Sequence, residues 1–117
     1  MSLKNLKVVL LSDFYDSLLT ERQQECLKLH YENDWSYGEI AERFGITRQA
    51  VHDSIKSSEV ALERYEEKLG FLADFQQQQG VLTDILKYLQ ILETDLGLTE
   101  RIRTIQYIRK HIQALIN

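Results

Sequence analysis

Residues 36–56 read SYGEIAERFGITRQAVHDSIK. Ser36 followed three residues later by Glu39 is a capping box, in which each side chain can satisfy a backbone N–H of the other. Trp35 just before the cap and Ile40 four residues after it match a hydrophobic staple. A short helix from Tyr37 to Phe44 follows, and Gly45 supplies the positive φ that ends a helix cheaply. Ile46 turns back toward the core and Thr47 caps the next helix. Ala50, Val51 and Ile55 face inward at helical spacing. Leu62, Tyr65 and Leu69 continue the stripe, so a single long helix runs to Gly70. Two helices joined by a tight Gly turn at a steep angle form a helix-turn-helix. Ala41 is small where the two helices cross, and Ile40, Phe44, Ile46 and Val51 fill the wedge between them.

Upstream, residues 3–18 place Leu3, Leu6, Val9, Leu10, Phe14 and Leu18 on one side of a first helix. Thr20 and Gln23 form another capping box, opening a helix to about Tyr31, and residues 32–34 are a polar connection. Downstream, residues 71–80 read as helix, with Gly80 as punctuation. Residues 81–96 form a strongly apolar helix. Gly97 breaks it, Thr99 caps the next, and Ile102, Ile105, Ile108, Ile112 and Ile116 share one stripe of residues 100–116. The architecture predicted is all-α: a helix-turn-helix of the winged-helix-like class without a wing, a long following helix and a C-terminal helical hairpin. It divides into a helix-turn-helix domain with its N-terminal helix, residues 1–70, and a C-terminal helical extension, residues 71–117.

Composition agrees. The 117 residues are 44% hydrophobic and 27% charged, with no proline and 5 glycines, which leaves long segments without breakers. The one cysteine excludes an internal disulfide. The early apolar run, Val8 to Leu11, is too short for a secretion signal, and no segment could span a bilayer. No membrane insertion is expected, and the expected location is the cytoplasm. The net charge is −4. Residues 36–69 carry 5 basic and 7 acidic groups, so any phosphate contact must come from a local cluster rather than a global field.

Such a cluster exists. After Thr47 the outward side chains are Arg48, Gln49, His52, Asp53 and Lys56. The N-terminal part of a recognition helix meets base edges in the major groove, where Arg suits guanine and Gln suits adenine. Arg43, Ser36 and Lys56 can reach flanking phosphates, whereas Asp53 repels them. The same residues also fit an ordinary solvated helix face. Elsewhere the pattern is bland. Cys26 and His30 lie one turn apart with nothing to orient the His, and Cys26 reads as core. His30, His52 and His111 lack companion ligands at metal spacing. Glu63, Glu66 and Glu67 read as an exposed charged face. No catalytic residue, metal or cofactor is expected. In the C-terminal part, Leu82, Leu86 and Leu89 lie on one face and Ile85, Tyr88 and Leu92 on the next. A helical pair hides only one of these, so a homodimer is expected, with Ile105, Ile108 and Ile112 in the contact.

LTERQQECLKLHYEN, residues 19–33, followed by SYGEIAERFGITRQAVHDSIK resembles the region-4-type helix-turn-helix of bacterial sigma factors. With SDFYDSLLT before it and YEEKL after it, the chain also resembles the YlxM, or UPF0122, family of small helix-turn-helix proteins. The resemblance covers roughly residues 5–79 and finds no shared motif after Gly80. Genes of this family lie beside the gene for the signal recognition particle GTPase in many Gram-positive bacteria. The resemblance therefore implies a regulatory DNA-binding protein linked to protein export, or else an adaptor that docks on that GTPase without binding DNA.

Overall fold

A computed structural model describes residues 2–94 and 97–116. The described residues form α-helices with short 3₁₀ and π turns and no strand. The helices are α1 (Leu3–Tyr15), α2 (Glu21–Leu27), α3 (Tyr37–Phe44), α4 (Arg48–Leu69), α5 (Phe71–Leu92) and α6 (Leu98–Ile116). They fall into two compact units, divided after Leu72.

In the first unit α1, α2 and α3 all pack on α4. Both capping boxes form. Thr20 Oγ1 accepts from Gln23 N–H at 3.2 Å while Gln23 Oε1 accepts from Thr20 N–H at 3.0 Å. Ser36 Oγ accepts from Glu39 N–H at 3.1 Å, and Glu39 Oε1 accepts in return from Ser36 N–H. Thr47 caps α4 through Ala50 N–H at 3.0 Å. Gly45 takes a φ of 67°, and its N–H closes α3 onto the Ala41 carbonyl. Ile40, Cys26, Val51, Ile55 and Leu62 are fully buried, and Ile46 and Phe44 pack partly buried against them. Burial raises the pKa of the Cys26 thiol, as befits a cysteine that serves as packing.

The structure differs from the sequence reading at several points. The α-helical part of α1 ends at Tyr15, with a 3₁₀ turn over Asp16–Leu18. Its buried stripe is Val8, Leu11 and Tyr15, continued by Leu19, while Leu3, Leu6 and Leu18 are exposed. Val9, Leu10 and Phe14 lie between, partly covered. Two apolar stripes adjoin on α1, and the winner contains Tyr15, whose hydroxyl finds polar partners inside. The helix from Thr20 continues past Leu27 as a π turn over Lys28–Glu32. Ala50 is exposed, because the first turn of α4 projects beyond the core and burial starts at Val51. Leu69, in the last turn, is also exposed.

Glu66 is not part of a free charged face. Its Oε1 accepts from the Tyr15 hydroxyl at 2.6 Å and from Leu72 N–H at 3.0 Å. Tyr15 Oη in turn accepts from Phe71 N–H at 3.1 Å. Gly70, at φ 68°, caps α4 with its N–H on the Glu66 carbonyl, and Tyr15 and Glu66 satisfy the first N–H groups of α5 that no helical carbonyl can reach. Burial, followed by the hydrogen bond to Glu66, raises the Tyr15 pKa.

α5 runs unbroken through Gly80. Gly costs a helix interior only about 1 kcal/mol relative to Ala, too little to stop a helix that is favoured on both sides. In the second unit α5 and α6 are antiparallel. Tyr88 stacks on Tyr107 with ring centroids 5.6 Å apart, and His111 Nε2 stands 3.8 Å from Asp84 Oδ2. Thr99 does not cap α6. The Gly97 carbonyl already accepts from Arg101 N–H at 3.1 Å, which places Thr99 inside the first turn. The expected end of the preceding helix at residues 95–96 lies outside the described residues. No helix among the described residues is long and apolar enough to cross a membrane.

Candidate nucleic-acid interface

The buried edge of α4 fixes which side chains face out. Val51 and Ile55 point into the core, so Arg48, Gln49, Asp53 and Lys56 are exposed and His52 is half-buried beside them. Arg48, His52 and Lys56 recur every four residues, so they form one row on the helix surface, with Gln49 and Asp53 in the next.

The row is not a set of free cations. Gln49 Nε2 donates to Asp53 Oδ1 at 2.8 Å, and His52 Nδ1 donates to the same oxygen at 3.3 Å. Lys56 Nζ lies 3.6 Å from Glu59 Oε2, and the other oxygen of Glu59 accepts from the Tyr31 hydroxyl. Burial, and then that hydrogen bond, pushes the Tyr31 pKa well above its ordinary range. Tyr31 thus holds its proton and pins Glu59 against Lys56.

Arg48 is positioned differently. Its guanidinium lies over Gly38, where an added Cβ would stand 3.0 Å from Nε. Ser36, Tyr37, Gly38, His30 and Arg48 together line one shallow groove. Tyr37 sits between two imidazoles, with ring centroids 4.8 Å from His30 and 5.7 Å from His52. His30 Nδ1 donates to the Trp35 carbonyl at 2.9 Å, which anchors the inner end of this stack. Ser36 Oγ is engaged in its cap. Arg43 sits 6.0 Å from the centre of the Trp35 ring, at the outer limit of a cation–π contact. On the neighbouring helix Arg22 lies over Phe44 at 4.2 Å.

The structure therefore gathers Arg48, Gln49, His52 and Lys56 on one side of α4, puts Ser36 beside Arg48, and turns Arg43 toward Trp35. The sequence reading missed the role of Tyr37 between the histidines and the pairing of Lys56 with a pinned Glu59. The spacing of Lys56 and Glu59 at i, i+3 carries a local signal. The contacts of Tyr31 and Tyr37 span chain separations that no local pattern reports. The expected dimer residues belong to the second unit. Ile105 and Ile112 are exposed, and Ile108 is half-buried.

The capped α3, the Gly45 turn and the docked α4 define a helix-turn-helix protein. A family profile described as "Putative helix-turn-helix protein, YlxM / p13 like" matches residues 3–105. The chain belongs to this family, UPF0122. It is similar to a UPF0122 protein of Desulforamulus reducens, 49% identical over 88 residues, which is 75% of each chain. A UPF0122 protein of Halalkalibacterium halodurans is 50% identical over 82 residues, 70% of this chain and 75% of its own. One of Acetivibrio thermocellus is 39% identical over 113 residues, 97% of both chains. The family match continues past Gly80 through all of α5 and into α6, further than the motifs of the first unit extend.

Proposed function

We propose that this is a regulatory DNA-binding protein of the cytoplasm that acts in the signal recognition particle pathway. The observation that carries the reading is the front of α4. Its N-terminal turn is capped, projects beyond the core and presents Arg48 and Gln49 to solvent, where a recognition helix meets base edges. In this reading Arg48 and Gln49 contact bases, His52 flanks them, and Ser36, Arg43 and Lys56 face phosphates. The link to protein export rests on the resemblance to YlxM-like proteins and their gene neighbourhood. With so few cations one copy neutralises only about 2–4 phosphates, so the salt slope is shallow, at about 0.9 per phosphate. A homodimer offering two half-sites then supplies the missing affinity.

The test is selection of sites from random duplexes, followed by titration at two salt concentrations. Arg48→Ala or Gln49→Ala is expected to cost about 1–3 kcal/mol on the selected site. Lys56→Ala is expected to weaken all sequences alike. No enriched site, with no duplex binding at low salt, sinks the reading. A second reading, an adaptor docking on the signal recognition particle GTPase, is favoured by one observation: Asp53 and Glu59 engage Gln49, His52 and Lys56. Titration of the purified GTPase with the chain, with and without Arg48→Ala, distinguishes the two.

A further inference from the structure

The C-terminal hairpin is tied together on one face and bare on the other. Asp84 and Tyr88 of α5 meet Tyr107 and His111 of α6: the tyrosines stack, the imidazole stands edge-on to Tyr88 at 5.3 Å, and its Nδ1 donates to the Tyr107 carbonyl. Ile85 and Thr104 are buried. Among the described residues of this unit they are the only buried ones.

Helical geometry places the remaining large apolar side chains. At 100° per residue, Leu82, Leu86 and Leu89 lie about a quarter turn from Ile85, away from Asp84 and Tyr88. On α6, Ile105, Ile112 and Ile116 lie about a quarter turn from Thr104, away from Tyr107 and His111. In an antiparallel pair these two displacements fall on the same side. The hairpin thus carries one apolar face two helices wide, opposite the tyrosine–histidine face. Every one of these six residues is exposed, Leu86 by 61% and Ile105 by 47%.

We propose that this face is covered by the same face of a second copy, giving a four-helix bundle in which α5 of each chain lies against α6 of the other. Two features select that occupant. The face is two helices wide, which a matching hairpin covers, whereas a single helix would fill only the seam. The charges also select the pairing. On α6 the apolar side carries Arg101 and Arg109, whereas on α5 beyond residue 72 the charged residues Asp74, Asp84 and Lys87 all lie off it. Packing α6 on its own copy would oppose these arginines, whereas packing α5 on α6 sets them against an uncharged surface. A two-fold axis parallel to the helices produces that arrangement and closes the assembly at two copies. The proposal holds whether or not α4 reads DNA.

The experiment uses the full chain and light scattering coupled to size exclusion at about tens of micromolar, above the dissociation constants of ordinary stable dimers. The wild-type chain is expected at twice its chain mass. Leu86→Glu alone and Ile105→Lys alone are each expected at one chain mass, with helical circular dichroism retained. An equimolar mixture of the two variants is expected to return to twice the chain mass, because the new Glu on α5 then meets the new Lys on α6. A wild-type chain that runs as a monomer overturns the proposal. So do variants that both remain dimeric. A mixture that stays at one chain mass overturns the α5-on-α6 pairing. If a charged variant loses its helical signal, Leu86→Ala replaces it, with the dissociation constant expected to rise at least tenfold and an unchanged constant overturning the proposal.

Discussion

In the first unit Val8, Leu11, Tyr15, Cys26, Leu27, Ile40, Val51, Ile55 and Leu62 converge from four helices onto one core. In the second, an equally apolar set of side chains yields Ile85 and Thr104 as its only buried members among the described residues. Richness in Leu and Ile does not distinguish the two regions. The number of directions from which they arrive does. Three helices wrap α4 on different sides, so each stripe finds a facing stripe, whereas two antiparallel helices can hide one stripe each and must leave the next in view. Stability of the chain alone therefore resides in the first unit.

The sharpest way to break that comparison is a matched truncation. Leu62 is fully buried and Leu86 is 61% exposed, although both sit within 22-residue helices. Leu62→Ala is expected to lower the unfolding free energy by about 2–5 kcal/mol, transfer and cavity terms together. Leu86→Ala, measured at concentrations where the chain is a monomer, is expected to change it by less than about 0.5 kcal/mol, as an exposed site does. Denaturant unfolding followed by circular dichroism measures both. Similar costs at the two positions would mean that the hairpin is packed within its own chain.

The next effect lies where α4 hands over to α5. Tyr15→Phe leaves Phe71 N–H without its acceptor and removes a donor from Glu66, for a cost of about 1–3 kcal/mol. The pH dependence has a definite sign. The Tyr15 pKa is raised from its ordinary 10.0, so the folded chain holds that proton more tightly than the unfolded one. The contribution is complete below pH 10 and is lost as pH rises through the folded value. The wild-type chain should therefore lose stability more steeply above pH 10 than Tyr15→Phe does. Parallel slopes would show that Tyr15 plays no part in the loss.

Tyr15 also shows what the sequence could and could not convey. The caps at Thr20, Ser36 and Thr47 and the turn at Gly45 are local chemistry, completed within three or four residues, and they stand in the structure as read. Burial of Cys26, Ile40 and Val51 follows from the same periodicity. The choice between two adjoining stripes on α1 was not legible. It depends on Glu66, 51 residues away from Tyr15. The candidate site divides in the same way. The outward row from Arg48 to Lys56 follows from helical spacing, and the repulsive character of Asp53 was plain. That Asp53 would hold Gln49 and His52 together, and that Tyr31 would pin Glu59 beside Lys56, depends on rotamers and on contacts between helices.

The smallest effects concern two glycines, and they have opposite signs. Gly45 ends α3 with a φ of 67°, and a Cβ there would meet nothing within 4 Å. Space is not what forbids a side chain at that position. The left-handed backbone is, and it costs an L-residue about 1–2 kcal/mol. Gly45→Ala should therefore destabilise the first unit by about that much without disturbing any contact. A Cβ at Gly80 also meets nothing within 4 Å, but Gly80 has no positive φ and lies within α5. There Ala removes conformational freedom from the unfolded chain and should stabilise the helix by about 0.5–1 kcal/mol. The gain belongs to a stretch whose residues 73–80 are all exposed, so it should appear in local opening rather than in global unfolding. Amide hydrogen exchange at Gln76 to Gln79 should slow by about two- to fivefold in Gly80→Ala, which is the same free energy expressed as a rate. Faster exchange would mean that Gly80 interrupts α5 in solution.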